Sequence, residues 1–144
     1  MSSMSRSIVV GYANTPGGRQ ALTVAAELAA DLGARLHVVH VIDISDYPID
    51  PDSPDWDAGD ATQLAAERAD VERALADRLI DWRYELQRGN PVRTLANAAA
   101  REQARMIVVG AGHASGLDRL LRASRSVAHG LERTGVPVLV VPAH

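Results

Sequence analysis

Short apolar runs rich in β-branched residues alternate with stretches of helical periodicity along this chain, and that alternation leaves few folds open. Ser7 to Gly11, Arg35 to Ile42, Met106 to Gly110 and Val136 to Val141 are each too short for a helix and too uniformly apolar for a half-exposed strand. They suit strands buried on both faces. Tyr12 to Gly18 is a turn cluster in which Asn14 or Thr15 can cap a helix. The helix follows in Ala21, Leu22, Ala25, Leu28, Ala29 and Leu32, with Gly33 as its stop. Helical spacing returns over Ala61 to Leu79 through Leu64, Ala65, Val71, Leu75 and Leu79, with Glu67, Arg68, Glu72 and Arg73 expected on the solvent side. Trp82 to Gln87 sets Trp82, Tyr84 and Leu86 against Arg83 and Glu85, as an edge strand with one wetted face does. Arg88-Gly89-Asn90-Pro91 turns the chain into an Ala-rich helix over Val92 to Gln103, and a last helix is expected from Ser124 to Leu131, ended by Gly135. The order is β-α-β-α-β-α-β-α-β, an α/β fold with a parallel sheet, helices on both faces and right-handed crossovers. Such sheets bind ligands beyond the carboxyl ends of their strands, where the winding reverses. With the first and fourth strands adjacent, the loops Tyr12 to Gly17 and Ala111 to Gly116 face one cleft.

Composition narrows the chemistry. A chain of 144 residues, 47% apolar, is expected to form a single domain over residues 1–144. Its net charge of −3 supplies no basic field for nucleic acid. Cysteine is absent, which removes thiolate catalysis, disulfides and thiolate metal sites. Every cation is Arg, which excludes a Schiff-base lysine and a Walker-type phosphate loop. No apolar run approaches the ~18 residues of a membrane span, so no membrane partner and a cytoplasmic location are expected. Asp43 to Asp60 holds seven aspartates (Asp43, Asp46, Asp50, Asp52, Asp55, Asp57, Asp60) with Pro48, Pro51 and Pro54 and no cation. It is predicted to be an exposed, mobile loop, open to early proteolysis and unlike an EF-hand. Trp56 is read as the residue that anchors this loop to the body. His37 and His40, three apart on a strand, fall on opposite faces and do not share a metal. No Gly-x-Ser-x-Gly elbow occurs, and Ser115 reads as a turn residue, so no catalytic residue is assigned and no turnover enzyme is expected.

The stretch from Met106 to His129 is the natural place for an anion. A strand ending at Gly110 meets a loop of mostly small residues from Ala111 to Gly116, and Ser124 stands at a helix start, where unpaired N–H groups and the helix dipole attract negative charge. Arg125, flanked by Arg119 and Arg122, can pair with a phosphate or sit in solvent.

These residues resemble the universal stress proteins. The resemblance covers nearly the whole chain and rests on Ile8-Val9-Val10-Gly11, His37-Val38-Val39-His40-Val41, Gly89-Asn90-Pro91, Ile107-Val108-Val109-Gly110, Gly116-Leu117 with Leu120-Leu121, and Val136-Pro137-Val138-Leu139-Val140-Val141. It implies a doubly wound sheet of five strands in the order 3-2-1-4-5, and a twofold homodimer through Val136 to Val141. It also implies a nucleotide cleft. Nucleotide-binding members carry an Asp after the first strand and a signature of Gly, two residues, Gly, nine residues, then Gly-Ser or Gly-Thr. On this chain those positions are Ala13, then Gly110, His113, Ala123 and Ser124. Ala13 lacks the charged acceptor, for which Asn14 is a partial substitute. His113 puts a ring where the pattern has hydrogen, and Gly112 can take over by a one-residue shift. The backbone near Val41 is where the family reads adenine. The resemblance therefore marks Ala13, Asn14, Val41, Gly110, Gly112, His113, Gly116, Ser124 and Arg125 as the cleft, with no cofactor certain and ATP or AMP as the ligands to test. The expectation is a binding and regulatory protein with ATP binding weakened or lost. The alternatives are a genuine ATP or AMP binder with a non-standard phosphate loop, and a dimeric module that docks an unidentified protein.

Overall fold

The computed structural model describes residues 6–42, 56–110 and 135–142, with backbone alone for 56–61. Strands β1 (Ser7–Tyr12), β2 (Arg35–Ile42), β3 (Trp82–Arg88), β4 (Ala104–Gly110) and β5 (Val138–Val141) form one sheet in the order β3-β2-β1-β4-β5. Every pair is parallel. Helix α1 (Pro16–Leu32) joins β1 to β2, α2 (Trp56–Leu75) joins β2 to β3, and α3 (Pro91–Glu102) joins β3 to β4. The fold is thus the expected doubly wound α/β sheet.

Strand alternation assigns each helix its face. Ile8, Val10 and Tyr12 of β1 pack with Ala21, Leu22, Ala25 and Ala29 of α1 and with Val71 and Leu75 of α2. Val9, between them, points the other way and packs with Leu95, Ala98 and Ala99 of α3. Full burial of Ile8, Leu36 and Ile107 stabilises the sheet by about 1.5–3 kcal/mol apiece. The helix ends use the residues their sequence advertises. Thr15 caps α1, its Oγ1 accepting from the Gly18 N–H at 3.0 Å, and Gly33 ends the helix at φ 63. Asn90 caps α3, its Oδ1 accepting from the Arg93 N–H at 3.2 Å, with Pro91 in the first turn.

Helix α2 departs from expectation at both ends. It begins at Trp56, inside the stretch read as an acidic loop, and ends at Leu75. Pro54 is the last helix-breaking residue there, and aspartates in a first turn favour the helix dipole. Trp56 therefore opens a helix, at a position expected to lie in the loop. Leu79, expected on the apolar stripe, lies beyond the helix and is fully exposed. Glu67, expected in solvent, is buried at 7% exposure. On β3, Trp82 and Tyr84 pack against the core as the alternation requires, whereas Leu86 is 40% exposed at the sheet edge. The remainder of the acidic stretch, residues 43–55, and the expected last helix lie outside the described residues.

Candidate functional site

The winding reverses between β1 and β4, and the carboxyl ends of these neighbours bring the first-strand loop against the end of the fourth strand. Gly110 closes β4, and a Cβ there would run into the carbonyl of Gly17 and lie 2.8 Å from the nitrogen of Gly18. Gly18 in turn has the carbonyl of Ala13 where a Cβ would stand. The β1–α1 loop is therefore folded back over the first turn of α1, and that turn rests on the tip of β4. Three backbones meet where side chains would keep them apart.

This geometry gives Gly110 a reason to be glycine that needs no ligand. It also fixes the two candidate residues of the first loop. Ala13 is half-buried, held through its backbone, with only a methyl group to present. Asn14 is exposed, and its Oδ1 accepts from Arg19 Nη1 at 2.9 Å. The amide oxygen expected to substitute in part for the missing carboxylate is engaged by the guanidinium, so this side of the cleft offers donors and positive charge. Val41 is half-buried on β2, paired with Gln87 of β3, one residue beyond the pairing of His40 with Tyr12. Ala13, Asn14, Val41 and Gly110 thus share the carboxyl edge of the sheet. Gly112, His113, Gly116, Ser124 and Arg125 lie outside the described residues, as do Ala123 and Ser115.

Gly17, Gly18 and Arg19 were missed as site residues by sequence reasoning. The signal was available in the glycine pair itself, because two glycines in the first turn of a helix weaken it unless backbones approach closely there. His37 and His40 fall on opposite faces of β2, as their spacing requires. His37 lies beside α3, with Nε2 3.6 Å from Glu85 and Nδ1 3.9 Å from Glu102. Arg101 of α3 pairs with both Glu85 oxygens at 2.8 and 2.7 Å. Burial pushes the Glu85 carboxyl up, but the hydrogen bond and charge of Arg101 outweigh it and hold the group below the usual carboxylate range. Among the described residues no cluster of three metal-ligating side chains occurs and no helix is long and apolar enough to cross a membrane. A cavity of about 320 Å³, lined by Arg6, Ala29, Gly33, Arg35, Leu79 and Asp81, opens at the opposite end of the sheet and belongs to no part of this cleft.

The fold has counterparts among known proteins. A universal stress family protein from Burkholderia pseudomallei is 29% identical, with TM-score 0.68, covering 99% of this chain and 100% of that one. A universal stress protein solved in complex with cAMP is 25% identical, with TM-score 0.65, covering 97% of this chain and 98% of that one. The protein UspA from Lactobacillus plantarum is 22% identical, with TM-score 0.68, and shares the fold over 97% of this chain and 99% of its own. No curated protein is significantly similar in sequence. The profile of the universal stress protein family matches residues 4–142, from before the first strand to past the last, and the chain belongs to that family.

Proposed function

We propose that this protein is a binding and regulatory member of its family whose nucleotide cleft keeps its outline while its ATP binding is weakened or lost. The observation that carries this reading is the pairing of Asn14 with Arg19 beside Ala13. The loop that would present a carboxylate presents a methyl group, and the neighbouring amide oxygen is already engaged. A hydrogen bond to a charged group contributes about 1.5–3 kcal/mol, so its loss lowers affinity about 10- to 100-fold. On this reading the chain is one domain that turns nothing over, and its work is done by binding.

A second reading is favoured by the relative that was solved with cAMP. Under it, this chain also takes an adenine nucleotide, through backbone groups near Val41 and a loop after Gly110 that does not follow the usual pattern. The same titration separates the two. ATP and AMP, each with and without magnesium, are titrated calorimetrically into nucleotide-stripped protein and into Ala13→Asp. The first reading expects no saturation below millimolar ligand in the wild type and a 10- to 100-fold gain in the variant, the fold-change of the lost hydrogen bond. Micromolar binding by the wild type sinks it and establishes the second.

A homodimer through the strand Val136 to Val141 belongs to the same proposal. Among the described residues strand β5 ends the sheet with its outer edge unpaired, and Leu139 and Val140 are 39% and 46% exposed. An apolar edge of this kind calls for a cover, and a second copy related by a twofold axis supplies one.

A further inference from the structure

The described part of α2 buries three side chains, and one of them is charged: Glu67, Val71 and Leu75, spaced by four residues along one stripe. A carboxylate on such a stripe stays ionised only with a partner, because burying it unpaired is far more costly than burying a leucine is favourable. Its partner is His40 of β2. Glu67 Oε2 lies 3.2 Å from His40 Nε2, and His40 Nδ1 lies 2.9 Å from the Tyr84 hydroxyl of β3. Gln63, one turn earlier, donates to Glu67 Oε1 at 3.4 Å. A neutral imidazole with its proton on Nε2 satisfies every atom: Nε2–H donates to Glu67, and Tyr84 O–H donates to Nδ1.

Aromatic rings wall this chain of contacts. Tyr12 of β1 stands edge-on to His40 at 5.6 Å between centroids, Tyr84 at 6.4 Å, and the Arg68 guanidinium of α2 lies 5.5 Å over the Tyr84 ring. The other charges that face the cluster are Asp70 of α2, which acts on Tyr12, and Arg19 of α1, which opposes it. Glu67 and His40 are the buried titratable pair at its centre, at 7% exposure each.

We propose that the His40–Glu67 contact is a proton-operated latch, which holds α2 on the sheet at neutral pH and lets it lift in acid, uncovering the carboxyl ends of β1 and β2. A protonated His40 must donate from Nδ1 to the Tyr84 oxygen, which turns the Tyr84 O–H away from its acceptor. Burial outweighs the attraction of Glu67 and holds the imidazole below its ordinary value. The docked helix therefore binds the proton less readily than the lifted one. The latch is at full strength above about pH 6.5, the free imidazole value, and is lost as pH falls through the lowered value of His40. The proposal stands whether or not the cleft takes a nucleotide.

Hydrogen exchange of the full chain between pH 7.5 and 4.5, corrected for intrinsic rates, is the test. One proton taken up per opening predicts a loss of α2 protection approaching tenfold per pH unit between about pH 6.5 and the lowered value of His40, and no further loss from this group below it. The amides of Val9 and Val108 keep theirs. The His40→Gln variant, which keeps a side-chain N–H for Glu67, should make α2 protection independent of pH, and His37→Gln should leave the slope in place. An unchanged slope in His40→Gln, a flat profile in the wild type, or loss of β1 protection in step with α2 each overturns the proposal. If His40→Gln does not fold, NMR titration of the wild-type imidazoles decides: His40 titrating below about pH 6.5 supports the latch, and at or above it refutes the latch.

Discussion

Replacing Gly110 by alanine isolates the contact on which the cleft is built. The added methyl has nowhere to go, because it meets the Gly17 carbonyl and stands 2.8 Å from the Gly18 nitrogen, and both are main-chain atoms. A flexible side chain could swing aside, but here the first turn of α1 must retreat from β4. That retreat also strains the cap, since Gly18 N–H is the group Thr15 accepts from at 3.0 Å. Overpacking costs about 1–3 kcal/mol, and a clash with backbone on both sides belongs at the top of that range. Loss of the cap adds about 1 kcal/mol. The sum, about 3–4 kcal/mol, corresponds to a fall in Tm of roughly 10 °C for a domain of this size. Thermal unfolding by circular dichroism measures it, with Gly33→Ala as the comparison. Gly33 has φ 63 and open space around its Cβ position, so that substitution costs only the left-handed backbone penalty of about 1–2 kcal/mol, a drop of ~3–6 °C. A Gly110→Ala protein that melts no lower than Gly33→Ala would refute the packing argument and return Gly110 to a role in ligand contact alone.

Two further outcomes follow from the same contacts. Thr15→Ala and Asn90→Ala each remove the side-chain acceptor of a helix start and should lower stability by about 1 kcal/mol in urea unfolding, with little change in the slope against denaturant. Arg101→Ala should cost about 0.5–1 kcal/mol at neutral pH, since the Arg101 side chain is 50% exposed and its pairing with Glu85 is screened by solvent. The sign with pH is fixed by Glu85. Its carboxyl is held below the ordinary value, so the contribution of the pair is present above about pH 4.5 and is lost as pH falls through the lowered value. The gap between wild type and Arg101→Ala should therefore close in acid, and a gap that widens below pH 4 counts against the pairing.

Residues whose environment is set by the nearby chain were legible in the sequence. Ile8, Val10, Leu36, Val38 and Ile107 announce buried strands because a short apolar run rich in β-branched residues has few other uses, and alternation then assigns the faces on which α1, α2 and α3 pack. Thr15 and Gly33 were legible as caps for the same local reason, whereas Asn90 was read only as part of a turn. Glu67 was not. Its charge argued for solvent, while its spacing from Val71 and Leu75 argued for the stripe, and the partner that settles the conflict stands on another element, at His40. Leu79 failed in the opposite sense: its spacing continued the stripe, but the helix had already ended at Leu75. Long-range partners and helix ends decide such positions, and a single sequence displays neither. Of the cleft, the strand ends at Gly110 and Val41 were legible, and the close approach of Gly17 and Gly18 beneath Ala13 was not recognised.

The two sides of that cleft carry different weight as signs of function. Gly110 fits the family's phosphate-loop pattern, yet the fold requires a glycine there for its own sake, because α1 could not reach β4 otherwise. Its presence therefore says nothing about phosphate. Ala13 is the reverse case. What Gly18 packs against is the Ala13 carbonyl, a main-chain atom that any residue would supply, so the fold places little demand on the side chain. A position with weak structural demand is free to follow function, and here it carries a methyl group beside an asparagine whose oxygen is tied to Arg19. The inference about ATP accordingly rests on Ala13 and Asn14 and on no glycine. Restoring the carboxylate by Ala13→Asp is the sharper experiment, because it changes the ligand's partner and leaves the three packed backbones as they are.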